Sequence, residues 1–562
     1  MPDTAMDETF DFVVAGSGGG SMCAALLLRS LGKSVVILEK TDLIGGTTSM
    51  SGGVMWIPNN RFMKEAGVED SRDKAAAYLD AVTGSRDDAA SGATHARRLA
   101  YVEEAPKMLD FLVAQGVKLR RIPSWPDYYD ETGASVPGRT VVAQLFNVNE
   151  LGPWKDKLRP GFVPAPVNLD EAMLLAWVKQ SWNAKRALLK VVGRTIADRL
   201  TGKRRATAGE ALQGRMLQAA LKAGADIRVN SPVKKLIIED GRVAGVVTEK
   251  DGKEWHVGAR LGILINAGGF AHNQQMLDTF TPGMKSEWSN ASPGDTGEMI
   301  EEAARAGAAL GQMDKRLGNA NALPPGGGGG MKPPMQGSMS KPHAIIVDKS
   351  GMRYMAEACS YIEFSERMIE RNRTTPAIPS WLIVDSQHMK KYGLLGAKPG
   401  SKKLAPMVQS GFLRSGNTLD ELAAACGLDA TSLRATVDRF NTFARNGKDE
   451  DFHRGDWTYH QWLGDPYHTP SQTLGTIEEG PFYAVEIYPG DVSTLGGVVT
   501  DANARVLRAD GTPIPGLYAT GTSAATVMAG NSPGAGASIG PSFTWGYVAA
   551  KHAANAGNSI NQ

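Results

Sequence analysis

The stretch Asp11-Phe12-Val13-Val14-Ala15-Gly16-Ser17-Gly18-Gly19-Gly20-Ser21 decides the fold. Asp11 to Ala15 reads as a buried strand, and the apolar stretch Met22 to Ser30 as a helix. A second apolar strand, Ser34 to Leu38, ends on Glu39. Strand, glycine-rich turn, helix, strand and an acid about twenty residues past the turn form a βαβ dinucleotide-binding fingerprint. Gly16 permits the tight turn, Gly18 lets backbone approach a pyrophosphate, and Ser21 lets the helix sit close to the sheet. The helix N-terminus offers free N–H groups and the positive end of a dipole to the phosphates. Glu39 is suited to accept hydrogen bonds from both ribose hydroxyls. Ser17, Gly19, Gly20 and Lys40 complete the expected loop.

Two further segments select FAD over NAD. Gly45 to Gly53 is a glycine and hydroxyl run in which Gly46, Thr47, Thr48, Ser51, Gly52 and Gly53 can wrap a pyrophosphate and a ring edge. Far downstream, the strand ending at Thr520-Gly521 and the turn Gly534 to Gly540, with Gly536, Ser538 and Ile539, precede a helix-like stretch from Pro541 to Ala554. That helix would aim its N-terminus at a flavin and favour the anionic reduced ring. Leu261 to Gly269, including Ala267 and Gly268, reads as another strand ending in glycines, expected at a sheet edge passing the cofactor.

A chain of 562 residues should form at least two domains. The expected fold class is α/β, a Rossmann-like FAD-binding domain interrupted by an inserted α+β catalytic domain. Its parts are 1–293 and 479–562 for the FAD domain and 294–478 for the insert, with the active site at their interface. Net charge is +2, so no strong polyanion partner is implied, and nucleic acid is not expected. Cys23, Cys359 and Cys426 show no metal spacing, so no metal is expected and a reducing cytoplasm is the default. Met1 to Thr9 reads as polar, without a signal h-region. No run approaches the roughly 18 apolar residues of a spanning helix. Pro324 to Pro334 is a low-complexity stretch expected as a mobile loop or lid tip. Leu174 to Ala208 carries Trp177, Trp182 and an apolar run with helical spacing, then Lys203-Arg204-Arg205. The main expectation is a surface helix packed on the first domain. The alternative is peripheral contact with a membrane, from which a lipophilic substrate is drawn.

The chain resembles the flavoprotein superfamily of fumarate reductases and 3-ketosteroid dehydrogenases, and most of all the bacterial 3-ketosteroid Δ1-dehydrogenases. The residues that carry this include Gly45 to Pro58, Trp125-Pro126-Asp127-Tyr128-Tyr129 with Gly138-Arg139, Asp348 to Glu357, Phe440 to Ala444, Asp451 to Gly455, Pro489 to Gly497 and Tyr518 to Pro541. The resemblance implies a ketone α,β-desaturase that takes a lipophilic or cyclic ketone and passes electrons to a quinone-like or artificial acceptor. It adds Val233 to the cofactor set. It also implies Tyr361 as general base for the C2 proton, Tyr128 as its supporting tyrosine, and the Gly536 N–H as a donor to the substrate oxygen. Where the family has a carbonyl-binding tyrosine, this chain has Ser532, with Asn531 or Tyr488 as possible substitutes. That departure points also to a smaller cyclic ketone.

Two rivals remain open. A fumarate reductase-type enzyme needs a cationic clamp, for which Arg353, His343, His453 and Arg454 are candidates. A non-catalytic flavoprotein has only the Ser532 change in its favour.

Overall fold

In a computed structural model, which describes residues 5–84, 88–327 and 331–560, the fingerprint folds as β1 (Glu8–Ala15), α1 (Gly19–Ser30) and β2 (Val35–Leu38). These strands belong to an eight-stranded sheet whose main path runs Arg505–Leu507, Pro513–Ala519, Lys253–Ile265, β1, β2, Asp226–Arg228. Pairing is parallel from Pro513–Ala519 to Asp226–Arg228. Phe12, Val14, Val35 and Ile37 bury on one face; Val13, Ala15, Val36 and Leu38 bury on the other. Burial on both faces is why these strands are continuous apolar runs rather than alternating ones. Leu261 to Ile265 is not at a sheet edge. It is interior, paired to β1 on one side and to Pro513–Ala519 on the other.

The two ends of the chain clasp each other through glycine. A Cβ on Gly19 would meet Phe543 Cε2 at 1.9 Å, and one on Gly20 would meet Ser542 O at 2.4 Å. One on Gly546 would meet Gly20 O at 2.2 Å. α1 and the C-terminal helix, Ile539–Ile560, therefore pack backbone to backbone.

The insert is α+β. Its five-stranded antiparallel sheet has the order Arg316–Asn321, Phe482–Thr494, Ser380–Val384, Ala344–Val347, with Arg414–Gly416 also on Phe482–Thr494. The sequence boundary at 479 puts Phe482–Thr494 in the returning FAD domain, yet every ladder of that strand lies in the insert sheet. We propose that the return to the FAD domain falls after Thr494.

Residues 169–201 form the helices Leu169–Leu175 and Trp182–Thr201. The second does not pack its apolar residues on the first domain as expected. Only Ala184, Ala187 and Asp198 are buried on it, while Trp182, Leu189 and Leu200 are 74%, 71% and 82% exposed. Among the described residues, no helix is long and apolar enough to cross a membrane. The expectation of a mobile glycine loop falls partly on Gly328–Gly330, which lie outside the described residues.

Candidate active site

A cavity of about 620 Å³ opens where the parallel strands end. Gly16, Ser17 and Gly18 line it at the β1 turn, and Glu39, Lys40 and Val233 line it beside the end of β2. Gly46, Thr47, Thr48, Ser51 and Gly52 form another wall, and Ala267, Gly268 and Gly521 a third. Gly536, Ser538, Ile539 and Tyr361 close it. Gly19, Gly20, Ser21 and Gly53 do not line it. The first two serve helix packing, and Ser21 accepts from Asn266 Nδ2 at 2.8 Å. Gly53, at φ +61, lets Ala208 backbone approach.

The cavity fits FAD. Among the described residues, the N–H of Gly18 has no protein acceptor, nor do those of Gly536, Ser538 and Ile539, and all four residues line the cavity. Two helix starts therefore present uncommitted donors, one suited to a pyrophosphate and one to the flavin ring. Gly16 adopts φ +92, and a Cβ there would meet Asn266 O at 2.3 Å. Glu39 is held by Ser17 Oγ at 2.5 Å and by Thr41 N at 2.9 Å, which orients its carboxylate. Lys40 lines the cavity with its ammonium already engaged by protein groups. Its Nζ donates to Thr296 Oγ1 at 2.5 Å and Glu298 Oε1 at 2.8 Å.

Tyr361 is the first residue of the helix Tyr361–Asn372, capped by Ser360. A helix N-terminus favours a phenolate at that position. Burial raises the Tyr361 hydroxyl, while donation from Tyr128 and Ser532 pulls it back. Tyr128 itself is raised well above its ordinary value, first by burial and then by its anionic-capable neighbours Tyr361 and Tyr459. Tyr361 is thus the phenol of this group that ionises most readily. Tyr128 does not line the cavity. It stands behind Tyr361, ring centroids 6.0 Å apart and edge-on. A three-stranded sheet, Val54–Trp56, Thr140–Ala143 and Leu119–Arg121, carries the Tyr128 loop. Asp127 anchors that loop by accepting from Trp56 Nε1 at 2.8 Å and Arg139 Nη1 at 2.6 Å.

Ser532 is 1% exposed and does not face the cavity as a carbonyl donor. Its hydroxyl reaches Gly534 O at 3.2 Å and the Tyr361 hydroxyl. A single hydroxyl proton serves one acceptor at a time. It goes to Gly534 O here, and an ionised Tyr361 would compete for it. The substitutes fail as well: Asn531 Nδ2 donates to Val82 O at 2.9 Å, and the Tyr488 hydroxyl donates to Glu486 at 2.9 Å. Gly536, at φ +97, keeps its free N–H on the cavity wall, where a Cβ would meet Val54 O at 2.5 Å.

Several lining residues escaped the sequence reading. Asp295 is buried against Gly268 and bonded by Thr47 and Ser493, and burial pushes its carboxyl up to about 6. Its glycine-flanked setting, Pro293-Gly294-Asp295-Thr296-Gly297, was the available signal. Phe162, Leu317 and Met331 line the cavity with no motif to announce them. The cations proposed for a dicarboxylate clamp are committed elsewhere. Arg353 and Arg454 both pair with Glu357, at 2.8 and 2.9 Å, and His343 bonds Thr476 O at 2.7 Å. His453 pairs with Asp456 at 3.1 Å, and none of the four lines the cavity.

Comparison with known proteins shows the family. The family model described as FAD binding domain matches residues 11–539. A 3-oxosteroid 1-dehydrogenase of Mycolicibacterium smegmatis is 36% identical, over 97% of this chain and 97% of its own. A 4-oxocyclohexanecarboxylate 2-dehydrogenase of Sinomonas cyclohexanicum is 33% identical, over 97% and 92%. The 3-ketosteroid Δ1-dehydrogenase of Sterolibacterium denitrificans, solved with 1,4-androstadiene-3,17-dione, superposes with TM-score 0.90 at 34% identity, covering 98% of this chain and 100% of that one. Fit and family together make FAD the cofactor, and the chain belongs to the FAD-dependent oxidoreductase family of the 3-ketosteroid Δ1-dehydrogenases.

Proposed function

We propose that this chain desaturates a cyclic ketone next to its carbonyl, with 3-ketosteroid 1-dehydrogenation as the reaction. The observation that carries this is Tyr361 on the cavity wall at a helix N-terminus, with the Tyr128 ring edge-on behind it at 6.0 Å and with Tyr128 and Ser532 offsetting the effect of burial on its hydroxyl. Tyr361 as phenolate takes the C2 proton, and Tyr128 and Ser532 hold the charge it carries beforehand. The Gly536 N–H binds the ketone oxygen as C2 loses its proton, stabilising the enolate-like charge. The apolar residues Leu317, Phe162 and Met331 give the carbocycle an apolar wall. Bound FAD supplies the hydride acceptor for C1.

The Sinomonas relative raises a second reading, a small oxocyclohexane carboxylate. The cavity's cations Lys40, Lys234 and Arg305 all stand by Glu39 and the helix Glu298–Arg305, away from Tyr361. Lys40 pairs with Glu298, and Lys234 with Glu249 at 2.5 Å. Among the described residues, the cavity wall that holds Tyr361, Gly536, Ser538 and Ile539 carries no cation for a substrate carboxylate, which favours the steroid. Anaerobic mixing with steroid ketones and with oxocyclohexane carboxylates tests this by flavin bleaching. Steroid ketones should bleach the wild type, and Tyr361→Phe should stay yellow yet lose about 10²–10⁴ in bleaching rate. Wild-type rates in the Tyr361→Phe protein end the base assignment.

The helix Trp182–Thr201 supports peripheral membrane contact within the same reading. Trp182, Leu189, Val192, Ile196 and Leu200 form one exposed apolar stripe. Exposed Lys179, Arg186, Lys190, Arg199 and Lys203 flank it, a pairing suited to an anionic lipid surface. Phe162 and Met331, both exposed, line the cavity and give a lipophilic ketone and a quinone-like acceptor an apolar entrance. Anionic vesicles should sediment the wild type and not Leu189→Asp/Ile196→Asp; equal sedimentation of both removes the contact.

A further inference from the structure

The group behind Tyr361 does not end at Tyr128. Tyr459 is 2% exposed, and its ring lies 4.1 Å from the Tyr128 ring, centroid to centroid. The Tyr128 ring is the middle of three, edge-on to Tyr361 at 6.0 Å and against Tyr459 at 4.1 Å, and both neighbours raise its hydroxyl. The Tyr459 hydroxyl in turn accepts from Gln336 Nε2 at 3.3 Å. Gln336 is half-buried and precedes exposed Gly337. The surrounding wall is dry: Val54, Ile122, Val142 and Ala535, with Trp125 stacked on Trp462 at 5.0 Å.

Tyr459 is held in this place by a run of contacts between two segments. Trp125 lies on Trp462, Tyr128 on Tyr459, and Tyr129 edge-on to Trp457 at 5.1 Å. Asp130 then accepts from Thr458 N at 2.7 Å at the start of the helix Thr458–Leu463. The loop bearing Tyr128 and the helix bearing Tyr459 are therefore tied together by three aromatic contacts and a helix cap.

We propose that Tyr459 is the next station of a proton exit that runs from Tyr361 through Tyr128 and Tyr459 to water at the Gln336 edge. The proposal rests on the ketone-desaturase reading. In that reaction the C2–H bond breaks, its proton going to Tyr361 Oη and its electron pair entering the new C1–C2 double bond, while the C1 hydride leaves with its own pair to the flavin. Tyr361 is left neutral beneath bound product, which blocks the cavity mouth. Regeneration needs one proton to leave. Tyr459 releases its hydroxyl proton to water, takes the Tyr128 proton, and Tyr128 takes that of Tyr361. All three oxygens return to the reacting state, with the charge on Tyr361, the phenol that ionises most readily of the group. Tyr459 touches neither substrate nor flavin and is a relay and positioning residue.

The test is stopped-flow mixing of holoenzyme with 4-androstene-3,17-dione in weakly buffered solution containing a pH-indicator dye. Flavin bleaching and proton release are recorded together. In the wild type the two traces should coincide. In Tyr459→Phe they should separate, proton release lagging bleaching by about tenfold or more, until product leaves. Gln336→Leu keeps the Tyr459 ring and should separate them too, which covers the case of a Tyr459→Phe protein that does not fold. Coincident traces in the variants overturn the relay. So does equal slowing of both traces, which marks a structural role for Tyr459. A wild type that no ketone bleaches overturns the desaturase reading itself, and the relay with it.

Discussion

Replacing Ser532 by Ala removes one of the two donors that stabilise the Tyr361 phenolate. The side chain is buried, so water does not take its place. A hydrogen bond to a charged group contributes about 1.5–3 kcal/mol. At about 1.36 kcal/mol per unit, the Tyr361 pKa should rise by about one to two units. The sign follows from the base form: Tyr361 must be ionised to act, so activity rises with pH and the rising limb moves to higher pH in the variant. Below that limb, flavin reduction by substrate should slow about 10- to 100-fold, and above it the variant should converge on the wild type. KM should move little, because the ketone oxygen is bound by the Gly536 N–H instead. The assay is single-turnover flavin bleaching across a pH series under anaerobic conditions. A loss of the same size at every pH refutes the reasoning, since it marks Ser532 as a donor to the substrate oxygen. An unshifted, unslowed profile refutes it equally.

Gly18→Val places a branched side chain where the backbone faces the cavity, with its Cβ 3.0 Å from Asn266 Nδ2. The protein should purify folded but colourless, and a yellow variant contradicts the phosphate-loop assignment. Glu357→Ala leaves Arg353 and Arg454 without their shared, fully buried carboxylate. Breaking a buried pair costs about 3–5 kcal/mol, so the melting temperature should fall sharply, and an unchanged melt shows that Asp449 alone balances both guanidinium groups.

Much of the fold was legible because its signals are local. The apolar runs of β1 and β2, and the glycines at 16 and 18, report burial and turn geometry on their own. Strand pairing is not local. Nothing within Leu261 to Ile265 says how many neighbours it has, so an interior strand read as an edge. Phe482–Thr494 lies close in sequence to flavin-type turns, yet its partners Ser380–Val384 and Arg316–Asn321 come from the insert. The helix Trp182–Thr201 shows the same limit: periodicity identifies an apolar stripe but not whether anything covers it. In the site, Tyr361 and Tyr128 were found through motif resemblance, whereas Tyr459 sits in Thr458-Tyr459-His460, a setting with no distinguishing pattern. The Ser532 departure was visible, but its direction was not, since the hydroxyl's target is set by a residue on a different element.

That direction changes what the substitution means. A donor on the ketone oxygen and a donor on the base act on opposite ends of one proton transfer. The first stabilises charge that grows as C2 loses its proton. The second stabilises charge that disappears at the same moment, so it weakens the base while making more of it available. Availability dominates when the base is mostly protonated at working pH, and a buried phenol whose pKa is raised is in that regime. Under the proposed mechanism Ser532 therefore gains rate by enlarging the ionised fraction of Tyr361, and the burden of the enolate charge passes to the Gly536 N–H. That N–H is fixed by a φ of +97, with Val54 and Met55 backbone directly behind it. Gly536→Ala should then be more damaging than Ser532→Ala. It disturbs the remaining oxygen donor, whose loss is of the order of 10²–10³ in rate, and it should do so at every pH. If Gly536→Ala instead shifts the pH limb and Ser532→Ala does not, the two roles have been assigned to the wrong residues.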